Sequence, residues 1–197
     1  QAEDGIRDCL LSRGLGDVYK RQASSYTPSC SSRCAWWGSM RPEAAGREFL
    51  PERRFMEEAL RLACEAAAAG EIPVGAVVVK DGAVIGRGRN RREAARSVLG
   101  HAELEAMEQA AKALGDWRLS GCTLYVTLEP CPMCAGAAVN ARVERIVYGA
   151  EDEVMGACGT AVSVIRLPRA FRPALYKGLL AEECGALLRR FFAERRK

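Results

Sequence analysis

"TLYVTLEPCPMCAGAAVNARVERIVYGA", residues 123–150, is the stretch from which the fold is read. "CTLYVTL", residues 122–128, is a β-branched and aromatic run short enough to be a buried strand. Helix signals resume at Pro132, and "RIVYGA", residues 145–150, reads as another short strand. Between them, Pro130 and Pro132 constrain the backbone. A proline pushes the residue before it out of helical conformation and itself suits the first helical position. Cys131 is therefore expected at the N-cap, with Cys134 one turn later over the same helix end. Backbone N–H groups and the helix dipole favour anions there and lower thiol pKa values. The pair is poised to be thiolate, for metal or for redox work.

The same alternation extends outward. Phe55, Ala59, Leu62, Ala63 and Ala66 recur at helical spacing, with Gly70 as a fitting stop. "VGAVVVKDGAVIGRGRN", residues 74–90, is two apolar runs joined by Asp81-Gly82, a strong hairpin signal. "HAELEAMEQAAKAL", residues 101–114, is rich in helix formers and ends before Gly115. Near the end, Leu180, Cys184, Leu187, Leu188 and Phe191 share one helix face. Strands alternating with helices predict an α/β domain whose helices cover the sheet. No internal repeat is visible.

Composition narrows the class. The 197 residues have room for one ordinary domain and a tail, and 49% are apolar, enough for a core without disulfide staples. No apolar run has the length of a membrane span, and no N-terminal pattern reads as a secretory signal. The nine cysteines are odd in number and irregularly spaced, which argues against a disulfide framework and for a reducing, cytoplasmic setting. A net charge of +4 is mild, and only its distribution can argue for a polyanionic partner. The chain changes character near residue 50. Residues 1–46 show no sustained period, and "SSYTPSCSSRC" reads as loop or disorder. "EDGIRDCLLSRGLGDVYKRQ", residues 3–22, looks like translated adaptor sequence, so Met40 and Met56 are candidate starts. Cys30 and Cys34 have no histidine or second pair nearby and read as incidental.

The chemistry turns on what joins Cys131 and Cys134. A structural zinc site needs four protein ligands, and no second C-x-x-C follows residue 50. The chain has one histidine, His101, in "GHAEL". A lone histidine is ordinarily a surface or core residue, but Glu103 lies two positions on, and 29 residues separate His101 from Cys131. One imidazole and two thiolates leave a tetrahedral zinc with an open position, the mark of a catalytic centre. Two thiolates also offset the charge of the ion, so a base should help, and Glu103 is the candidate. Its bland alternative is a helix N-terminal acid, worth from a few tenths to about 1 kcal/mol. Beside His101 the catalytic reading prevails. H-x-E followed by P-C-x-x-C is the known signature of the zinc deaminases of nucleobases.

From about Arg54 onward the chain resembles bacterial tRNA-specific adenosine deaminases. The matching pieces are "GEIPVGAVVV", "GRGRNRR", "HAELEAM", the run "TLYVTLEPCPMCAGAAVNARVERIVYGAEDEVMGACGT" and "LAEECGALLRRFFAERR". The resemblance implies a cytidine-deaminase-like α/β fold, three layers α/β/α with a mixed central sheet. Residues 47–197 would be the deaminase domain, and residues 1–46 a disordered or non-native extension. It implies that His101, Cys131 and Cys134 hold one Zn²⁺ per subunit and that Glu103 shuttles protons. Asn90 would hydrogen-bond the purine, the backbone at Ala102 would contact the base edge, and Asp152 would approach the nucleotide backbone. The family's enzymes are cytoplasmic homodimers that hydrolyse the wobble adenosine of a tRNA anticodon stem-loop to inosine. The chain departs from the pattern at Ser97-Val98, where many members carry Asp-Pro, at Val154 in place of a lysine and at Phe171 in place of a histidine.

RNA contact can be read separately. "RGRNRR" places four arginines around Asn90, and "RRFFAERRK" ends the chain in cations and two aromatics. Phosphates favour such charge and unstacked bases favour aromatic faces, which nominates Arg91, Arg92, Phe192, Arg195 and Arg196. Phe191 belongs to the core stripe. The plainer reading is solvated arginines and a helix end that complements its dipole. The rival functions are a free-base guanine deaminase, which also carries "EPCPMC", and a non-catalytic zinc-stabilised RNA-binding module. Glu103 argues against the second, because a structural site has no use for a base.

Overall fold

The computed structural model describes residues 49–195. The extension expected at 1–46, with Cys30, Cys34 and Met40, lies outside the described residues, as does Arg196. The order is helix α1 (Arg53–Ala68), strands β1 (Gly75–Lys80) and β2 (Ala83–Arg89), helix α2 (Ala102–Leu114), β3 (Thr123–Leu128), α3 (Pro132–Asn140), β4 (Arg145–Ala150), a single 3₁₀ turn (Val164–Arg166), β5 (Ala174–Lys177) and α4 (Ala181–Arg195). Among the described residues, no helix is long and apolar enough to cross a membrane.

The strands form one sheet in the order β2-β1-β3-β4-β5. Neighbours β2/β1 and β1/β3 are antiparallel, while β3/β4 and β4/β5 are parallel, so the sheet is mixed as expected. Asp81 and Gly82 turn the hairpin with φ of 50° and 76°, the paired positive values that a two-residue turn matching strand twist requires. β5 is a four-residue edge strand absent from the sequence reading. Its "ALYK" is too short to show a period.

Side chains alternate across the sheet and divide the core in two. Ala76, Val78, Leu124, Val126, Ile146 and Tyr148 pack with α2 and α3 on one face. Val77, Val79, Tyr125 and Val147 pack with α1 and Cys184 of α4 on the other. Both faces are covered, which is why "GAVVV" and "TLYVT" read as continuous apolar runs rather than alternating ones. The helical stripe read in α1 is buried at every position: Phe55, Ala59, Leu62, Ala63 and Ala66. In α4, Cys184, Leu187 and Phe191 are buried and Leu188 is half-buried, whereas Leu180, expected on the same helix face, precedes the helix in a turn with φ of 55°.

The contact between β2 and α2 is unusually close. A methyl group added at Gly86 would lie 2.1 Å from the Ala106 carbonyl oxygen, and one at Gly88 would lie 2.0 Å from that of Ala102. Only glycine lets this strand rest on the helix backbone. The contact sets Asn90, one residue beyond β2, against the start of α2.

Candidate metal centre and base pocket

Two helices begin at the same place. Cys131 is the N-cap of α3 with extended backbone (φ −70°, ψ 171°) and Pro132 behind it, as the proline pair requires. His101 is the N-cap of α2, also extended (φ −91°, ψ 143°). Neither side chain caps its own helix. They face one another instead, and both positive helix ends point at the cluster.

His101 Nδ1 lies 3.8 Å from Cys131 Sγ and 3.5 Å from Cys134 Sγ. The three donor atoms lie within 4.8 Å of one another, and this is the one such group among the described residues. Tetrahedral zinc, with bonds of about 2.05 Å to nitrogen and 2.3 Å to sulfur, needs nitrogen and sulfur about 3.5 Å apart. The donor set therefore fits zinc in both type and spacing. The nitrogen that faces the thiols is Nδ1, a choice the sequence does not encode.

The thiols are strongly differentiated. Cys131 is pulled down to about 5, first by the hydrogen bond it receives from Cys134 and then by the α3 backbone N–H and His101, against the cost of burial. Cys134 is pushed up for the complementary reason, since it donates that bond, and by burial and Glu103. Glu103, on the first turn of α2, is only 4% exposed. Burial raises its carboxyl pKa, and nearby Cys131 adds to the rise, which suits a group that must both take and return a proton.

A cavity of about 250 Å³ opens beside the donors. It is smaller than the 300–1,000 Å³ typical of drug-sized ligands and suits a single base. Asn90, Ala102, Glu103 and Asp152, all nominated from sequence, line it together with His101 and Cys131. Asn90 is 7% exposed, and its Oδ1 accepts the Arg92 N–H at 3.3 Å. The Asp152 carboxylate accepts the N–H groups of Val154 and Met155 at 2.9 and 3.0 Å, closing its own loop while standing at the rim. Sequence reasoning missed the apolar walls, Ile72, Val74, Leu128 and Met155. Their only signal is hydrophobicity, which core residues share. A larger groove of about 600 Å³ lies beside β4, β5 and α4, but its charges are already paired as Lys177 with Glu151 and Arg189 with Glu182, and its two carboxylates form no group of three metal-capable side chains.

The residues nominated for RNA are spread more widely. Arg92 lines the cavity, and exposed Arg91 pairs loosely with Glu105 at 3.6 Å. Phe192 is 42% exposed while Phe191 is buried, the split that the helical period predicts. Arg195 is engaged within the chain: it stacks over Phe191 at 4.4 Å and donates to the Gly70 carbonyl.

Residues 51–188 match the family of MafB19-like deaminases. Over 144 residues the chain is 49% identical to the tRNA-specific adenosine deaminase of Bacillus subtilis, covering 73% of this chain and 89% of that protein. The chain belongs to the bacterial tRNA-specific adenosine deaminase family. A solved structure from work on A-to-I editing by tRNA:A34 deaminases superposes with a TM-score of 0.67 at 43% identity, covering 70% of this chain and all of the other. Its cytidine-deaminase-like architecture is the one expected here. A guanine deaminase from Nitrosomonas europaea superposes at a TM-score of 0.65 with 27% identity, covering 75% of this chain and 87% of the other. Membership in the deaminase family agrees with a histidine, a glutamate and a cysteine lining one small pocket.

Proposed function

We propose that the protein deaminates adenosine to inosine at the wobble position of tRNA anticodons, as a zinc-dependent hydrolase. The observation that carries this reading is that buried Glu103 lines the same base-sized cavity as His101 and Cys131. Zinc held by His101, Cys131 and Cys134 would supply Lewis acidity toward the attacking water. The remaining work falls to the chain. An adenosine taken out of the stack enters the cavity, where Asn90 and the backbone at Ala102 orient the purine. Glu103 receives a proton from water as the C6–O bond forms. It passes that proton to the ring nitrogen, takes a second from the new C6 hydroxyl and delivers it to the amine, so that the C6–N bond breaks and ammonia leaves inosine behind. The apolar walls from Val74 and Leu128 exclude competing water.

A homodimer, a cytoplasmic location and RNA contact by Arg91, Arg92, Phe192, Arg195 and Arg196 belong to the same proposal, supported by the family resemblance and the basic segments. Guanine deamination is the rival, and the 49% identity to the tRNA-specific adenosine deaminase of Bacillus subtilis over 89% of that protein weighs against it. One purified sample of measured zinc content decides between them when offered an adenosine-bearing anticodon stem-loop, free guanine and free cytidine in parallel. Inosine forms in the stem-loop if the proposal is right. Conversion of guanine but not of the stem-loop overturns it.

A further inference from the structure

Two deeply buried carboxylates are used neither by the metal donors nor by the proton shuttle. Glu71 and Glu129 are each 2% exposed. Among the described residues neither joins an ion pair, and every hydrogen bond to their carboxylates comes from backbone. Glu71 accepts the N–H groups of Ala94 at 2.7 Å and Glu93 at 3.2 Å. Glu129 accepts those of Cys158 at 3.0 Å, Thr160 at 3.2 Å and Asp152 at 3.3 Å. A buried charge without a counter-ion is costly, and packing alone would be served better by an apolar residue. What the carboxylates hold explains their presence: five N–H groups in segments without regular secondary structure, which have no strand or helix partner to satisfy them.

Those segments frame the base pocket. The first, held by Glu71, follows Asn90 and carries Arg92. The second, held by Glu129, carries Asp152 and Met155. The second loop is folded directly onto its carboxylate: a methyl group at Gly156 would lie 2.4 Å from Glu129 Oε2. Backbone bonds from Ala157 to the Pro130 carbonyl (2.9 Å) and from Glu129 to the Ala150 carbonyl (2.8 Å) stitch the same loop to the strand end that leads into Cys131.

We propose that Glu71 and Glu129 are positioning residues for substrate recognition, each holding one of the two loops at the pocket mouth through backbone N–H groups. Their part in recognition rests on the adenosine deaminase reading, whereas the clamps themselves do not. Glutamine is the informative substitution, because it keeps the volume but turns an NH₂ group toward N–H donors. In Glu71→Gln and Glu129→Gln, KM for the anticodon stem-loop rises about tenfold while kcat stays within about threefold and zinc content is unchanged. Val143→Ala, a core truncation beyond the far end of α3, is the destabilised control and leaves KM unaltered. An unchanged KM in the glutamine variants, or a rise that Val143→Ala reproduces, overturns the proposal. Amide hydrogen exchange on the wild-type protein keeps the question decidable if the variants do not fold. The amides of Glu93, Ala94, Asp152, Cys158 and Thr160 are protected, and exchange at open-loop rates would refute the clamps. A wild-type protein inactive on the stem-loop would sink the functional reading instead, and exchange would then decide the clamps alone.

Discussion

His101 Nδ1 lies 3.5 Å from Cys134 Sγ, although 33 positions separate the two residues in the chain. The proximity arises because α2 and α3 both start beside the same end of the sheet, each with a donor side chain at or near its N-terminus. The centre depends on how closely each helix is held against its strands.

Glu103→Gln tests the proton shuttle. The amide preserves the shape of the buried side chain but cannot take a proton. Zinc content should stay at the wild-type value while kcat falls by roughly 10²–10⁴-fold, the range for loss of general acid–base catalysis. Metal analysis beside single-turnover kinetics checks both, and an unchanged rate would remove Glu103 from the mechanism.

The unequal thiols predict the proton count of metal uptake. With Cys131 at about 5 and Cys134 pushed up, the metal-free pair carries one proton at neutral pH. Zinc binding near pH 7 should release closer to one proton than two from the pair. Calorimetry in buffers of different ionisation enthalpy measures this, best in the Glu103→Gln background, where the carboxyl contributes nothing. The sign for stability follows. The folded value for Cys131 lies below the ordinary thiol value of about 8.5, so its contribution is present above that value and is lost as pH falls through about 5. Urea melts of metal-free protein should weaken from about pH 8.5 down to about pH 5, and Cys131→Ser should lack that part of the slope.

Gly88→Ala tests the approach of β2 to α2. The added methyl would meet the Ala102 carbonyl at 2.0 Å, and neither backbone can yield without moving the start of α2. A stability loss of about 1–3 kcal/mol is expected, the usual cost of overpacking. Because Ala102 separates His101 from Glu103, zinc retention should fall as well. Denaturant melts and metal analysis read the two effects separately.

Val154→Lys tests the departure from the family pattern at the pocket mouth. Val154 is 81% exposed, two residues beyond Asp152, so a lysine there costs little stability. One added phosphate contact should tighten stem-loop binding and steepen its salt dependence by about one unit of logarithmic slope. Titrations at several salt concentrations check it, and binding unchanged at every concentration would place the RNA elsewhere.

Much of the framework was legible locally. Pro132 announced the start of α3 and Cys131 its cap, because proline restricts its own backbone and that of its neighbour. Asp81-Gly82 announced the hairpin, and the period of α4 separated buried Phe191 from exposed Phe192. The four-residue β5 was not legible, since its pairing with β4 is satisfied by a strand elsewhere in the chain. Arg195 was nominated for RNA by its charge, yet its nearest partner is the carbonyl of Gly70, 125 positions away.

Residue chemistry and spacing were enough to nominate His101, Glu103, Cys131 and Cys134, because metal donors and a neighbouring base are identified by type. Three-dimensional packing alone decided that Nδ1 faces the thiols, that Cys131 and Cys134 differ so widely in acidity, and that Glu71 and Glu129 face backbone amides. Those properties depend on burial and on direction between groups distant in the chain. A one-dimensional pattern carries neither.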